Sequence, residues 1–140
     1  MIEIIAGTRG KGKTKRLLAM ANEAMSNAHG TVVYLDKHTK HMFELDRKIR
    51  LINVSDFPIS SIDGFLGFLC GVISQDHDIE VIFLDSFMTL ADISDAQSLE
   101  TALKALDVIS EKFYVKLVVS VSINYDEMTE STRPLVTQAL

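Results

Sequence analysis

The stretch that decides the fold is GTRGKGKT, residues 7–14, which follows the apolar run Ile2-Glu3-Ile4-Ile5-Ala6 and precedes KRLLAMANEAM, residues 15–25. Three glycines and four cations fall within Gly7–Lys15, where a strand turns into a helix. Gly7, Gly10 and Gly12 allow backbone angles closed to other residues, so the loop can tighten until its amide N–H groups point inward and bind an anion. The spacing fits G-x-x-x-x-G-K-[ST], with Gly7 first, Gly12 and Lys13 paired, and Thr14 last. In that pattern the amides of residues 9–14 cradle a di- or triphosphate, Lys13 reaches the outer phosphates, and the Thr14 hydroxyl ligates Mg²⁺. The helix that follows adds its positive end to the same site. Arg9 and Lys11 occupy positions the pattern leaves free, where they add phosphate contacts or face water; with Lys15 they complete the candidate binding set Gly7, Arg9, Gly10, Lys11, Gly12, Lys13, Thr14 and Lys15.

Both flanks support a strand-loop-helix unit. Leu17, Leu18, Ala21, Ala24, Met25 and Ala28 recur at helical spacing, and Gly30 stands where a helix-ending glycine is expected. Beyond it, β-like runs lie at 31–36 (TVVYLD), 50–54 (RLINV), 79–85 (IEVIFLD) and 115–122 (VKLVVSVS). Several are almost wholly apolar, as parallel strands buried on both faces require. Helical patterns fill the intervals: 61–74, with Ser60 and Asp63 as a start signal, and 95–113, with Ser94 and Gln97 as a capping box. Strand alternating with helix predicts an α/β protein with a parallel five-stranded sheet. Residues 1–140 read as one domain, with 123–140 as a tail or short helix. Gly64, Gly67 and Gly71 lie near one another on the second helix and predict either close internal packing or a self-association face.

A chain of 140 residues buries roughly two-thirds of its unfolded surface without disulfides. Its single cysteine, Cys70, falls in an apolar helical pattern and reads as core packing in a reducing compartment, with a reactive thiol as the alternative. The longest apolar helical run, FLGFLCGVIS at 65–74, is too short to span a bilayer. With no cationic leader opening the chain, a cytoplasmic protein is expected. The net charge of −5 divides unevenly: residues 1–50 carry ten Lys/Arg against five Asp/Glu, and residues 51–140 carry four against fourteen. That balance disfavours general nucleic-acid binding but leaves a local basic face within residues 37–50, where Lys37, Lys40, Arg47, Lys48 and Arg50 are joined by His38 and His41.

A second motif is VIFLDS, 81–86, an apolar strand ending in Asp85, which can hold Mg²⁺ through water or Thr14 beside a phosphate loop. With both motifs in place, residues 1 to about 124 resemble the nucleotide-binding core of the RecA-like P-loop ATPases, whose Walker A motif GTRGKGKT matches and whose Walker B segment VIFLDSFMTL matches. The chain also looks like short bacterial proteins often labelled PilT-like, although the secretion ATPases of that name are far longer. The resemblance implies a three-layer α/β/α fold with a truncated RecA-like core, ATP and Mg²⁺ as ligands, and Thr14 and Asp85 at the metal. It further implies a polar sensor at the end of LVVSVS, so Ser120, Ser122 or Asn124 is a candidate. With right-handed crossovers it implies the strand order 2–6, 115–121, 79–84, 31–35, 50–54.

Two departures from that family stand out. Its members place a water-orienting Glu after the Walker B Asp or at the end of the neighbouring strand, where this chain has Ser86 and Asp36-Lys37-His38. Asp36, or else His38, is the candidate substitute, which makes Asp36, Lys13 and Asp85 the candidate catalytic set. The strands that normally flank the Walker A strand are missing, which predicts an open sheet edge for a second copy or a protein partner to cover. No N-K-x-D motif follows, and Thr8 stands where the ParA/MinD group has a lysine, so ATP is the expected nucleotide. The expected function is a slow or partner-dependent ATPase or nucleotide switch; a small-metabolite phosphotransferase and an inactive nucleotide-binding module are the alternatives.

Overall fold

The computed structural model describes residues 1–140. Its strands form where the apolar runs lie: β1 (Ile2–Ala6), β2 (Thr31–Asp36), β3 (Arg50–Asn53), β4 (Ile79–Leu84) and β5 (Lys116–Val121). Between them run α1 (Lys13–Asn27), α2 (Ile62–Ser74), the single turn α3 (Phe87–Leu90) and α4 (Ala96–Phe113). A sixth strand, β6 (Val136–Ala139), completes one sheet in the order β3-β2-β4-β5-β1-β6, with every pairing parallel. The first five strands take the expected order, and β4 neighbours β5 rather than β1.

The alternation of side chains along each strand divides the core into two layers. Val32 and Tyr34 of β2, Val81 and Phe83 of β4, and Val118 of β5 face α1, where Leu17, Leu18 and Ala21 meet them. Their neighbours Val33, Leu35, Ile82, Leu84, Leu117 and Val119 face the other way, onto Phe65 and Leu69 of α2 and Leu99, Leu103 and Leu106 of α4. Burial on both faces explains the continuous apolar character of β4 and β5. No helix is long and apolar enough to cross a membrane.

Several expectations are corrected. The sheet has six strands, not five, because part of the segment expected as a tail or short helix pairs with β1 as β6, across a register shift between Ile4 and Ile5. The Leu140 N–H donates to the Ala6 carbonyl at 2.8 Å, so the β1 edge expected to be open is covered within the chain. Gly30 does not end α1, which stops at Asn27 with Ala28 as its cap. It is needed instead for a close approach: a Cβ at Gly30 would lie 2.1 Å from the Asp78 carbonyl oxygen. Helix α2 is capped by Ser61 rather than Ser60, the Ser61 hydroxyl accepting from the Gly64 N–H, and α4 by Asp95 rather than the Ser94–Gln97 box, its carboxylate accepting from the Ser98 N–H. The close-packing reading of the α2 glycines fails at Gly67 and Gly71, where an added Cβ meets nothing within 4 Å. Cys70 is a free thiol, half-buried on α2 rather than sealed in the core.

Candidate active site

All the candidate residues that carry chemistry stem from the carboxyl ends of the strands, where β1 gives way to the glycine loop. Gly10 and Gly12 take φ of 88° and 85°, left-handed values that a side chain would strain. Gly12 is the residue immediately before α1, so the helix opens directly on Lys13 and Thr14 with no side-chain cap. The amides at that end are therefore free to meet an anion. Lys13 is only 8% exposed, and its ammonium donates to the Thr8 carbonyl at 2.9 Å. Burial lowers its pKa, Asp85 pulls it back up, and Arg9 lowers it further.

Asp85 follows β4 directly, and its N–H donates to the Leu35 carbonyl at 3.0 Å, which ties it to β2. The two-residue period puts it on the α1 face with Val81 and Phe83. It is 2% exposed, and four hydroxyls hold its carboxylate. Thr14, Ser120 and Ser86 donate to Oδ1 at 3.2, 3.3 and 3.4 Å, and Tyr34 donates to Oδ2 at 2.8 Å. Thr14 and Asp85, expected to share a metal, are thus in direct contact. Ser120 does double duty, since its hydroxyl also accepts from the Ser86 N–H at 2.7 Å. Ser86 itself sits at φ 59° and ψ 54°, which turns the chain sharply out of β4 into α3.

Asp36 ends β2, one strand over and on the same face. It is 3% exposed. Its Oδ1 accepts the Lys37 N–H at 2.7 Å, but its buried Oδ2 has no hydrogen-bond partner; the nearest cation-forming group is His38 Nδ1 at 3.5 Å. Burial raises its pKa and the neighbouring Asp85 carboxylate raises it further, against the lowering effect of the Lys37 N–H, His38 and His41.

Two polar cavities open over these groups. One, of about 250 Å³, is walled by the loop residues Arg9, Gly10, Gly12, Lys13, Thr14 and Lys15 together with Ser86, Thr89 and Ser122. The other, of about 350 Å³, is lined by Asp36, His38, Lys40, His41 and Asp85, and shares Arg9, Thr14 and Ser86 with the first. A third, of about 430 Å³, is lined by Lys11, Gly12, Lys15, Arg16, Ala19 and Leu140.

Most of the expected residues are brought together, and a few are not. Gly7 lines none of these cavities; a Cβ there would instead press on Leu140, 3.1 Å from its carbonyl oxygen. Among the three sensor candidates, Ser120 holds Asp85 and Ser122 lines the first cavity, while Asn124 takes part in neither. The basic residues of 37–50 form no single face: Lys40 enters the second cavity, whereas Arg50 pairs with Asp76 at 3.1 Å, level with Val33 of β2. Sequence reading missed Tyr34. A tyrosine inside a buried apolar strand, two residues before an aspartate, was the available signal. Burial and the adjacent Asp85 push its phenol pKa far upward, so it stays a hydrogen-bond donor. Compared with known proteins, the chain matches no family model and no curated protein.

Proposed function

We propose that this protein binds Mg-ATP on a truncated RecA-like P-loop core and acts as a slow or partner-dependent ATPase or nucleotide switch. The observation that carries the reading is the contact between Thr14 and Asp85 at the start of a helix opened by a left-handed Gly12. No cluster of three or more His, Cys, Asp or Glu capable of holding a metal is present. Mg²⁺ bound to a nucleotide takes one or two protein oxygens and fills the rest of its shell with phosphates and water. Thr14 and Asp85 would supply those oxygens, and the bound ion would neutralise phosphate charge. Lys13 exchanges the Thr8 carbonyl for the outer phosphates, and the amides leading into α1 meet the remaining oxygens.

Hydrolysis needs a group to orient water and accept its proton. Asp36 is the residue with an unengaged carboxylate oxygen beside the phosphate cavity. Aspartate is one methylene shorter than the glutamate of the resembled family, so water is held less well and turnover with water alone is slow. Calorimetry with Mg-ATP on the wild type and on Lys13→Ala tests the reading: the variant should lose affinity by about 2–4 kcal/mol. Equal affinity would refute the assignment of the loop.

A further inference from the structure

The second cavity asks for more than a water molecule. A water occupies roughly 30 Å³ in the liquid, and the cavity measures about 350 Å³. No apolar side chain lines it, so it is built for a polar guest. Two demands meet inside it. Asp36 Oδ2, buried and unpartnered, lacks a hydrogen-bond donor. The same cavity is lined by His38, Lys40 and His41 from the segment after β2 and by Arg9 from the glycine loop, with His38 Nδ1 3.5 Å from that oxygen. His41 has Glu44 as a carboxylate partner and His38 has Asp36 at 3.5 Å, whereas Lys40 and Arg9 have none and are left to meet an anion. One small molecule carrying both a hydroxyl and an anionic group satisfies both.

The order of the cavities adds a direction. The second shares Arg9, Thr14 and Ser86 with the phosphate cavity, and the third shares Gly12 and Lys15 with it but no residue with the second. A nucleotide whose phosphates lie on the loop can send its ribose and base toward Ala19 and Leu140, which leaves its terminal phosphate facing Asp36. We propose that the second cavity is an acceptor subsite for a small hydroxyl compound bearing a phosphate or carboxylate group, to which the protein transfers the terminal phosphoryl group of ATP. This rests on the Mg-ATP reading above and names its acceptor. The hydroxyl oxygen attacks the γ-phosphorus and forms the new O–P bond. The bond from that phosphorus to the β,γ-bridging oxygen breaks, and its electron pair stays on ADP. The hydroxyl proton passes to Asp36 Oδ2 and then to water. Lys40, with His38 and His41, binds the acceptor's anionic group and is a positioning element.

The test uses the full chain with Mg-ATP labelled at the γ-position. Glycerol 3-phosphate and glycerate are the acceptor probes, and glycerol is the uncharged control. The charged probes should divert label from inorganic phosphate to their hydroxyls and raise ADP release roughly tenfold or more. Glycerol should not. Lys40→Ala, at an exposed position that does not threaten folding, should raise the probe KM several-fold without a matching change in the KM for ATP. Asp36→Asn should lower transfer by roughly a hundredfold or more while ATP still binds. A second measurement does not depend on probe reactivity. With Mg²⁺ and a non-hydrolysable ATP analogue bound, glycerol 3-phosphate should shift the imidazole proton resonances of His38 and His41 saturably, and Lys40→Ala should weaken that response. If ATP binds but these resonances do not move and the label reaches only inorganic phosphate, the acceptor site is wrong and the nucleotide reading stands. If ATP does not bind, both fall.

Discussion

Replacing Asp36 by Asn should make the ligand-free protein more stable, in a manner that depends on pH. In the wild type a carboxylate that is 3% exposed keeps one oxygen without a partner, next to a second buried carboxylate, Asp85. Asn preserves the oxygen that accepts the Lys37 N–H and removes the charge. A buried group left unsatisfied costs about 1–3 kcal/mol, and the amide's own imperfect partners take back part of the relief, so a net gain of about 1–2 kcal/mol is expected. For a chain of this length that is a rise in Tm of about 3–8 °C. The sign follows from linkage. Burial and Asp85 raise the folded-state pKa of Asp36 above its unfolded value of 3.8, so the folded state holds this proton more tightly. Its contribution to stability is then fully present below the unfolded pKa and is lost as pH rises through the folded pKa. Wild type and variant should converge in acid and separate toward neutrality. Urea unfolding of both proteins across that range, without nucleotide or divalent cation, reads the difference directly. A variant less stable at neutral pH, or one whose advantage does not shrink in acid, would show that Asp36 is not an uncompensated anion.

Other perturbations probe neighbouring parts of the same arrangement. Lys13→Ala should cut the nucleotide-induced rise in unfolding free energy to below about 1 kcal/mol, against about 2.7 kcal/mol for the wild type at about 100 times Kd; a preserved thermal shift would contradict the phosphate-loop reading. Tyr34→Phe removes the donor to Asp85 Oδ2 and should destabilise the protein by about 1–3 kcal/mol. It should also weaken Mg²⁺-dependent nucleotide binding, and an equally stable variant with intact affinity would show that Tyr34 does not hold Asp85. Gly30→Ala drives a Cβ to 2.1 Å from the Asp78 carbonyl and should cost about 1–3 kcal/mol. Gly67→Ala points into open space and should stabilise α2 by roughly 1 kcal/mol; the reverse ranking by thermal denaturation would place the tight contact elsewhere.

The readable parts of this fold were those with redundant signals. Strands β1, β2, β4 and β5 are buried on both faces, so their apolar runs were unmistakable, and the glycine loop fixed which strand leads into α1. The two-residue period also carried information about the site, since Tyr34, Asp36 and Asp85 were bound to share a face once β2 and β4 were neighbours. Strand β6 was hidden because its four residues, VTQA, alternate between half-buried and exposed and bury no large apolar side chain; pairing with β1 makes it a strand. Helix starts slipped by one residue where two cap-forming residues adjoin, Ser60 beside Ser61 and Ser94 beside Asp95, because only the incoming chain direction chooses between them. The wall formed by Lys40 and His41 was not legible either. The segment after β2 returns over the α1 face, anchored by Leu45 and Ile49 and by Asn22, whose side chain holds the Glu44 carbonyl and the Asp46 N–H, and that route sets where those side chains lie.

Under the acceptor-subsite proposal, Asp36 and Asp85 take different tasks. They are comparably buried, end adjacent strands and face the same side, yet their surroundings differ. Asp85 accepts four hydroxyl hydrogen bonds, so both of its oxygens are fixed and its orientation toward Thr14 is set before any ligand arrives. Such preorganisation suits a carboxylate whose task is to hold a cation's position. Asp36, which lines the second cavity, has one oxygen fixed by the Lys37 N–H, which aims the side chain, and one buried without a hydrogen-bond partner. A residue kept only for stability would not keep that second oxygen orphaned, since an Asn would serve the Lys37 N–H equally well without the buried charge. A proton acceptor, by contrast, must keep a lone pair free and the charge available. The division of labour between the two carboxylates therefore follows from their hydrogen bonds. Under the same proposal, the substitution expected to stabilise the fold most is also the one expected to end transfer.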